Sequence, residues 1–98
     1  MSQVLTLHGT ILEIALEGEL TVVDVKEMHA AILAALSPEH DVVVRAKDVS
    51  RVDTAVAQLI YAVGVYARSF EVLEASEAWL KAFRLLGLER PIDPEPGT

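Results

Sequence analysis

The residues of this chain that could do chemistry are few and mostly scattered. His8, His29 and His40 are its only histidines. They fall in a turn, a helix and the start of a loop, and no two lie at metal-ligand spacing. Gly9, Gly18, Gly64, Gly87 and Gly97 show none of the spacings of a phosphate-cradling loop. There is no cysteine, which removes thiolate nucleophiles, thiolate zinc sites and disulfides together. A Ser-His-acid set can be written from the letters, but no serine stands in a nucleophile elbow. His29 fits a place beside the buried stripe of its helix better than a catalytic role. Neither enzyme activity, a metal nor a cofactor is expected.

One stretch is more informative: Val49-Ser50-Arg51-Val52-Asp53-Thr54-Ala55-Val56-Ala57-Gln58-Leu59. An Asp-Thr pair opens an apolar helix directly after a buried strand and a short loop. Asp53 or Thr54 can serve as N-cap, accepting hydrogen bonds from the free amides of the first turn, a contribution of about 1 kcal/mol. Val56, Leu59, Ile60, Val63 and Ala67 form the buried stripe of that helix. Its outer positions, Ala55, Ala57, Tyr61, Ala62, Val65 and Tyr66, are also small or apolar, with no charge between Asp53 and Arg68. A surface helix ordinarily carries charge there. Either neighbours cover this helix on several sides, or it offers an apolar patch to a partner. A hydroxyl at the mouth of such a patch is suited to a switch. Phosphorylation of Thr54 would add about −1.5 to −2 charge, which a helix N-terminus tolerates and an acidic or apolar partner surface does not.

The elements that must position this junction follow from periodicity. Val4 to Leu7 alternates weakly and His8-Gly9 supplies a turn. From Thr10 to Glu17, Leu12, Ile14 and Leu16 face one way and Glu13, Ala15 and Glu17 the other, the period of a half-buried strand. The two runs predict a hairpin, with Gly18 breaking the second strand. Thr21 to Asp24 resembles a capping box. Val22, Val25, Met28, Ile32 and Leu36 continue at helical spacing, predicting a first helix over 22–36 that ends at Ser37-Pro38. Val42-Val43-Val44 reads as a strand buried on both faces, joined to the preceding strand by a parallel crossover. Lys47 to Asp53, polar with Val49 and Val52, reads as a loop anchored in the core. The second helix runs to about Ala67 and a last strand spans Phe70 to Leu73. Ser76 caps a third helix carrying Trp79, Phe83 and Leu86, with Gly87 as its C-terminal cap. Pro91 to Thr98 reads as a disordered acidic tail.

Composition narrows the functional classes. At 98 residues and 52% hydrophobic content the chain is one domain with a full core. That domain spans 1–90, with the tail over 91–98. A net charge of −7 disfavours nucleic acid and anionic membrane surfaces. The uncharged run from Thr54 to Ala67 is too short to span a bilayer, so no membrane insertion is expected, and no signal peptide is evident at Met1 to Val4. The expectation is a cytoplasmic α/β domain: a mixed β-sheet of about four strands with three main helices, in the order ββαβαβα.

That order, together with Ser50-Arg51-Val52-Asp53-Thr54 at the loop-to-helix junction, Ser76-Glu77-Ala78-Trp79-Leu80, and Leu85-Leu86-Gly87-Leu88, resembles the STAS domain, the fold of bacterial anti-sigma factor antagonists. The resemblance covers roughly Val4 to Arg90. It implies a non-enzymatic regulatory module in signal transduction, working through protein–protein interaction. Its partner would be an anti-sigma factor kinase or another ATPase, and the domain itself a monomer or weak homodimer. In the antagonist branch the junction reads Asp-Ser-Ser-Gly, and its second serine is phosphorylated. By position Asp53 matches the Asp and Thr54 the first hydroxyl. Ala55 takes the phosphorylated place and Val56 that of the Gly. Arg45 stands where many members have Asp. Asp-Thr-Ala looks more like two other branches, the small STAS subunit of lipid-trafficking ABC transporters and the STAS proteins of chemosensory operons. Together with the apolar outer face of the second helix, this gives Thr54 as the expected switch and Asp53, Thr54, Ala55, Gln58, Tyr61 and Val65 as the expected partner-binding set.

Overall fold

The alternation through Leu12, Ile14 and Leu16 builds the middle of a sheet, and the rest of the fold is laid against it. The computed structural model describes residues 2–85. In chain order it has strands β1 (Ser2–His8) and β2 (Ile11–Leu20), a short 3₁₀ turn (Val22–Asp24) and helix α1 (Val25–Ala35). There follow strand β3 (Asp41–Val52), helix α2 (Thr54–Tyr66), strand β4 (Ser69–Leu73) and helix α3 (Glu77–Leu85). The four strands lie in the order β1-β2-β3-β4. β1 and β2 are antiparallel, while β2–β3 and β3–β4 are parallel. This is the expected mixed α/β sheet with three main helices. The expected Gly87 cap and the acidic tail over 91–98 lie outside the described residues.

The hairpin turn is Gly9-Thr10, with Gly9 at φ +62°. Glycine first in a two-residue turn suits the right-handed twist of the flanking strands. Gly18 does not end β2. It sits within the strand at φ +86°, between two register shifts in the β2–β3 pairing, at Ala15/Glu17 and at Gly18/Glu19. These bulges also correct the reading of Lys47 to Asp53 as a loop. β3 continues to Val52, paired with Leu20. Each bulge inserts an extra residue on the β3 side and resets the alternation. That is why Ala46 and Val49, three apart, are both buried.

Every fully buried strand residue points to one face. Leu12, Ile14, Leu16 and Leu20 of β2 and Val42, Val44, Ala46 and Val49 of β3 join a single cluster. Met28 and Ile32 of α1, Val56, Ala57, Ile60 and Val63 of α2, and Trp79 and Phe83 of α3 complete it. Val43, expected to be buried on both faces, is only half-buried. It points to the other side with Glu13, Ala15 and Arg45, where no described residue is fully buried. Arg45 Nε bonds Glu13 there across the strands.

The helix ends follow capping chemistry. Asp24 accepts from the Thr21 backbone N–H at 2.8 Å and from its hydroxyl at 3.0 Å. The backbone bond is the main reason the Asp24 carboxyl is held below its ordinary range. The helix expected from Val22 therefore starts as a 3₁₀ turn, and Val22 is exposed rather than part of the buried stripe. Ser76 caps α3 as expected, its Oγ accepting the Trp79 N–H at 3.1 Å. Trp79 then stacks on Phe83 with ring centroids 5.0 Å apart.

At the start of β3 and β4, Asp41 accepts from Arg68 Nη2 at 2.5 Å and from the Ser69 hydroxyl at 2.7 Å. Arg68 foremost, then Ser69, pull the Asp41 carboxyl down from 3.8 to about 2. A depressed carboxylate stabilises the fold above its unfolded pKa, and that contribution fades as pH falls toward the folded value. A carbon-detected NMR titration should place the Asp41 midpoint near 2, with Arg68→Ala returning it toward 3.8. Ile14, fully buried at the sheet centre, should lose about 2–5 kcal/mol of unfolding free energy as Ile14→Ala, measured by urea denaturation.

Candidate functional site

Parallel strands β2 and β3 end side by side at Leu20 and Val52, and each feeds a helical start at once. After β2 come Thr21 and the 3₁₀ turn; after β3 comes the single residue Asp53, then α2. The crevice beyond the carboxyl ends of parallel strands is where α/β domains commonly place their binding surfaces. The Asp53 N–H donates to Leu20 O at 2.9 Å, which closes the joint.

Asp53 holds the N-cap position of α2 but its carboxylate makes no cap hydrogen bond there. This corrects the expectation of a simple cap. Its Oδ2 instead accepts the backbone N–H of Val22 at 3.0 Å, and its Oδ1 accepts from Arg51 Nε at 3.0 Å. One carboxylate thus ties the first turn of one helical segment to the start of the next. With Asp53 so engaged, the amino end of α2 carries no acid of its own in its first turn.

Thr54 is the first residue of α2 and is exposed. From it, Gln58, Tyr61 and Val65 follow at spacings of four, three and four, one stripe along the helix. Gln58 and Val65 are exposed and Tyr61 is half-buried. Ala55 is also half-buried, turned partly toward the domain. Ala57, expected on the outer side, is fully buried. The outer surface of α2 is therefore narrower than its composition suggested, but it remains free of charge from Thr54 to Tyr66. Val65 is 66% exposed and Tyr66 53%.

Two further residues belong beside this stripe. Val22 and Val23, in the turn that Asp53 anchors, are 61% and 84% exposed. Sequence reasoning assigned Val22 to the buried stripe of α1. The signal that was available is the capping pair Thr21 and Asp24, which puts two valines in the first, outward turn. A second feature, a groove of about 420 Å³, runs between α1 and α2, lined by His29, Leu33, Leu36, Leu59 and Tyr66.

Among the described residues no three His, Cys, Asp or Glu side chains gather in a way that could hold a metal ion. No described helix is long and apolar enough to cross a membrane.

The family model described as "Mlab, STAS domain" matches residues 4–93. The chain belongs to the STAS domain family. A search of curated proteins returned no match. STAS domains are generally non-enzymatic modules of protein–protein interaction. The α2 junction of this STAS domain is the place where Asp53-Thr54-Ala55, with Thr54 exposed, and the uncharged helix surface coincide.

Removal of the Asp53 carboxylate should loosen the joint more than the fold. Asp53→Ala is expected to cost about 1 kcal/mol of global stability. Amide hydrogen exchange at Val22 and Val23 should rise well above the change seen in β2, which is the measurement that checks it.

Proposed function

We propose that this STAS domain is a non-enzymatic regulatory module that binds an ATP-using protein partner through the α2 junction. Asp53 fixes the joint. Thr54, Gln58, Tyr61 and Val65 supply the contact stripe, with Ala55 at its edge. The observation that carries the reading is the combination of an exposed Thr54 with a helix surface free of charge as far as Tyr66. An uncharged, partly aromatic surface rimmed by polar residues is the composition of an interface core. Thr54 is also the switch in this reading. A phosphate there would be tolerated by the helix and rejected by an apolar or acidic partner surface, as in an anti-sigma factor antagonist released by its kinase.

A second reading is favoured by Ala55. This residue stands at the position phosphorylated in the antagonist branch and carries no hydroxyl. In that reading the domain is a constitutive accessory subunit of a lipid-trafficking ABC transporter, holding the ATPase subunit with an unmodified Thr54.

Affinity purification with wild-type and Thr54→Glu baits separates the two. A kinase-like ATPase held by wild type and lost by Thr54→Glu establishes the switch. A transporter ATPase, with Thr54 found unmodified by mass spectrometry, establishes the accessory subunit. Equal capture of every partner by both baits rejects Thr54 as a contact. Thr54→Glu should leave the thermal midpoint within a few degrees of wild type, because an acid is favourable at a helix start. Val65→Asp should change stability by no more than about 0.5 kcal/mol while weakening partner capture. Tyr61→Asp should cost more stability than Val65→Asp, since Tyr61 is half-buried.

A further inference from the structure

We propose that His40 is a pH-sensitive latch between the end of α1 and the start of β3, closed while its imidazole is neutral and opened by protonation. Leu36 makes the last helical bond of α1, its N–H on Ile32 O at 2.8 Å, and its own backbone is already extended. Pro38 keeps Ser37 out of helical geometry as well. The Ser37 N–H therefore needs an acceptor outside the helix. It donates to Nδ1 of His40 at 3.1 Å.

The remaining bonds of this turn do not depend on pH. His40 N–H donates to Ser37 O at 3.0 Å, and Glu39 N–H to Ser37 Oγ at 3.2 Å. The imidazole bond differs, because a ring nitrogen accepts only through its lone pair. The proton of the neutral ring is then on Nε2. A second proton goes to Nδ1, turns the acceptor into a donor and sets two N–H groups against each other. The bond breaks, and the Ser37 amide is left to water. Histidine is the side chain that ordinarily changes charge between pH 5 and 8, which suits it to such a latch.

The surroundings hold no substitute for the lost bond. Asp41 of β3 and Glu39 of the turn attract an imidazolium, and Arg68, just before β4, repels it. Asp41 is already engaged by Arg68 and Ser69, and among the described residues no carboxylate pairs with the His40 ring. Arg68 N–H donates to His40 O at 2.9 Å, which holds the backbone and not the ring. The hairpin contributes Thr10, whose carbonyl accepts the Asp41 N–H at 2.8 Å, and His8 at the end of β1. The last turns of α1 and α2 bring no charge, only the phenol of Tyr66.

What the latch steadies is Leu36. This side chain packs against the core and lines the groove between α1 and α2. Opening the turn directly after it loosens that wall of the groove, so acid acts on the groove through a residue outside its lining.

NMR of the full ¹⁵N-labelled chain tests the latch. At a pH where the His40 ring is neutral, its nitrogen shifts should show the Nε2–H tautomer. A scalar coupling across the hydrogen bond should connect Ser37 N to His40 Nδ1. That coupling should vanish in step with ring protonation, and amide-exchange protection at Leu36 and Ser37 should fall about fivefold over the same range. In His40→Asn, which has an amide in place of the titrating ring, protection at these two amides should not change with pH. His8→Gln, His29→Gln and Thr54→Glu should leave the response as in wild type, which separates the latch from the other histidines and from the α2 reading. An Nδ1–H tautomer of the neutral ring overturns the proposal, as does a missing coupling. A coupling that survives on the protonated ring overturns it too, and so does a pH response of Leu36 that persists in His40→Asn.

Discussion

The parallel pairing of β2 with β3 is the constraint on which the rest of this molecule depends. It brings the ends of two strands, Leu20 and Val52, side by side, so that two helical starts open at one place. It also sets the direction in which Leu12, Ile14, Val42 and Val44 point, and so the face on which α1, α2 and α3 gather. The bulges within the pairing matter as much as the pairing. Without them β3 would keep strict alternation and Ala46 and Val49 would lie on opposite faces. With them both reach the core, and the chain arrives at Asp53 with no loop to spare. A surface set on so short a joint is held by the sheet together with the hydrogen bonds of Asp53 to Leu20, Val22 and Arg51.

Asp53 illustrates how one residue can serve two elements. A conventional cap would satisfy only the amides of α2. Here the carboxylate reaches the preceding segment at Val22 and an arginine two residues back. The orientation of the 3₁₀ turn relative to α2 is then coupled to the residue that precedes Thr54. A partner or a phosphate that disturbs Asp53 would be felt in the valine pair as well. The exposed valines and the uncharged stripe of α2 are joined structurally by this carboxylate.

Much of this was legible in the letters. The period-two run through Leu16, the helical stripe from Met28 to Ile32, the Ser76 cap and the order of elements are local patterns, and the structure follows them. The errors arose where long-range pairing overrides a local signal. Gly18 and the polar run from Lys47 read as breaks because a bulge shifts periodicity in a way one strand alone does not disclose. Val43 read as doubly buried because a β-branched triplet carries no sign of which face lacks a covering layer. Ala57 read as outward because its small side chain suits either environment. At the site, Thr54, Gln58, Tyr61 and Val65 could be placed on one stripe by spacing alone. The destination of the Asp53 carboxylate could not, since Val22 lies 31 residues away in sequence.

Trp79 is the only tryptophan in the chain. It is fully buried on α3 beside Phe83, and its indole N–H has no hydrogen-bond partner among the described residues. α2 contributes two tyrosines near its exposed surface but no indole. The molecule therefore contains a natural division of optical labour. Tryptophan emission reports whether α3 is seated on the sheet, where the indole is fully buried. Tyrosine signals report events on α2. With excitation that selects the indole, a loss of folding is read from Trp79, while Tyr61 and Tyr66 lie on the helix of the proposed junction.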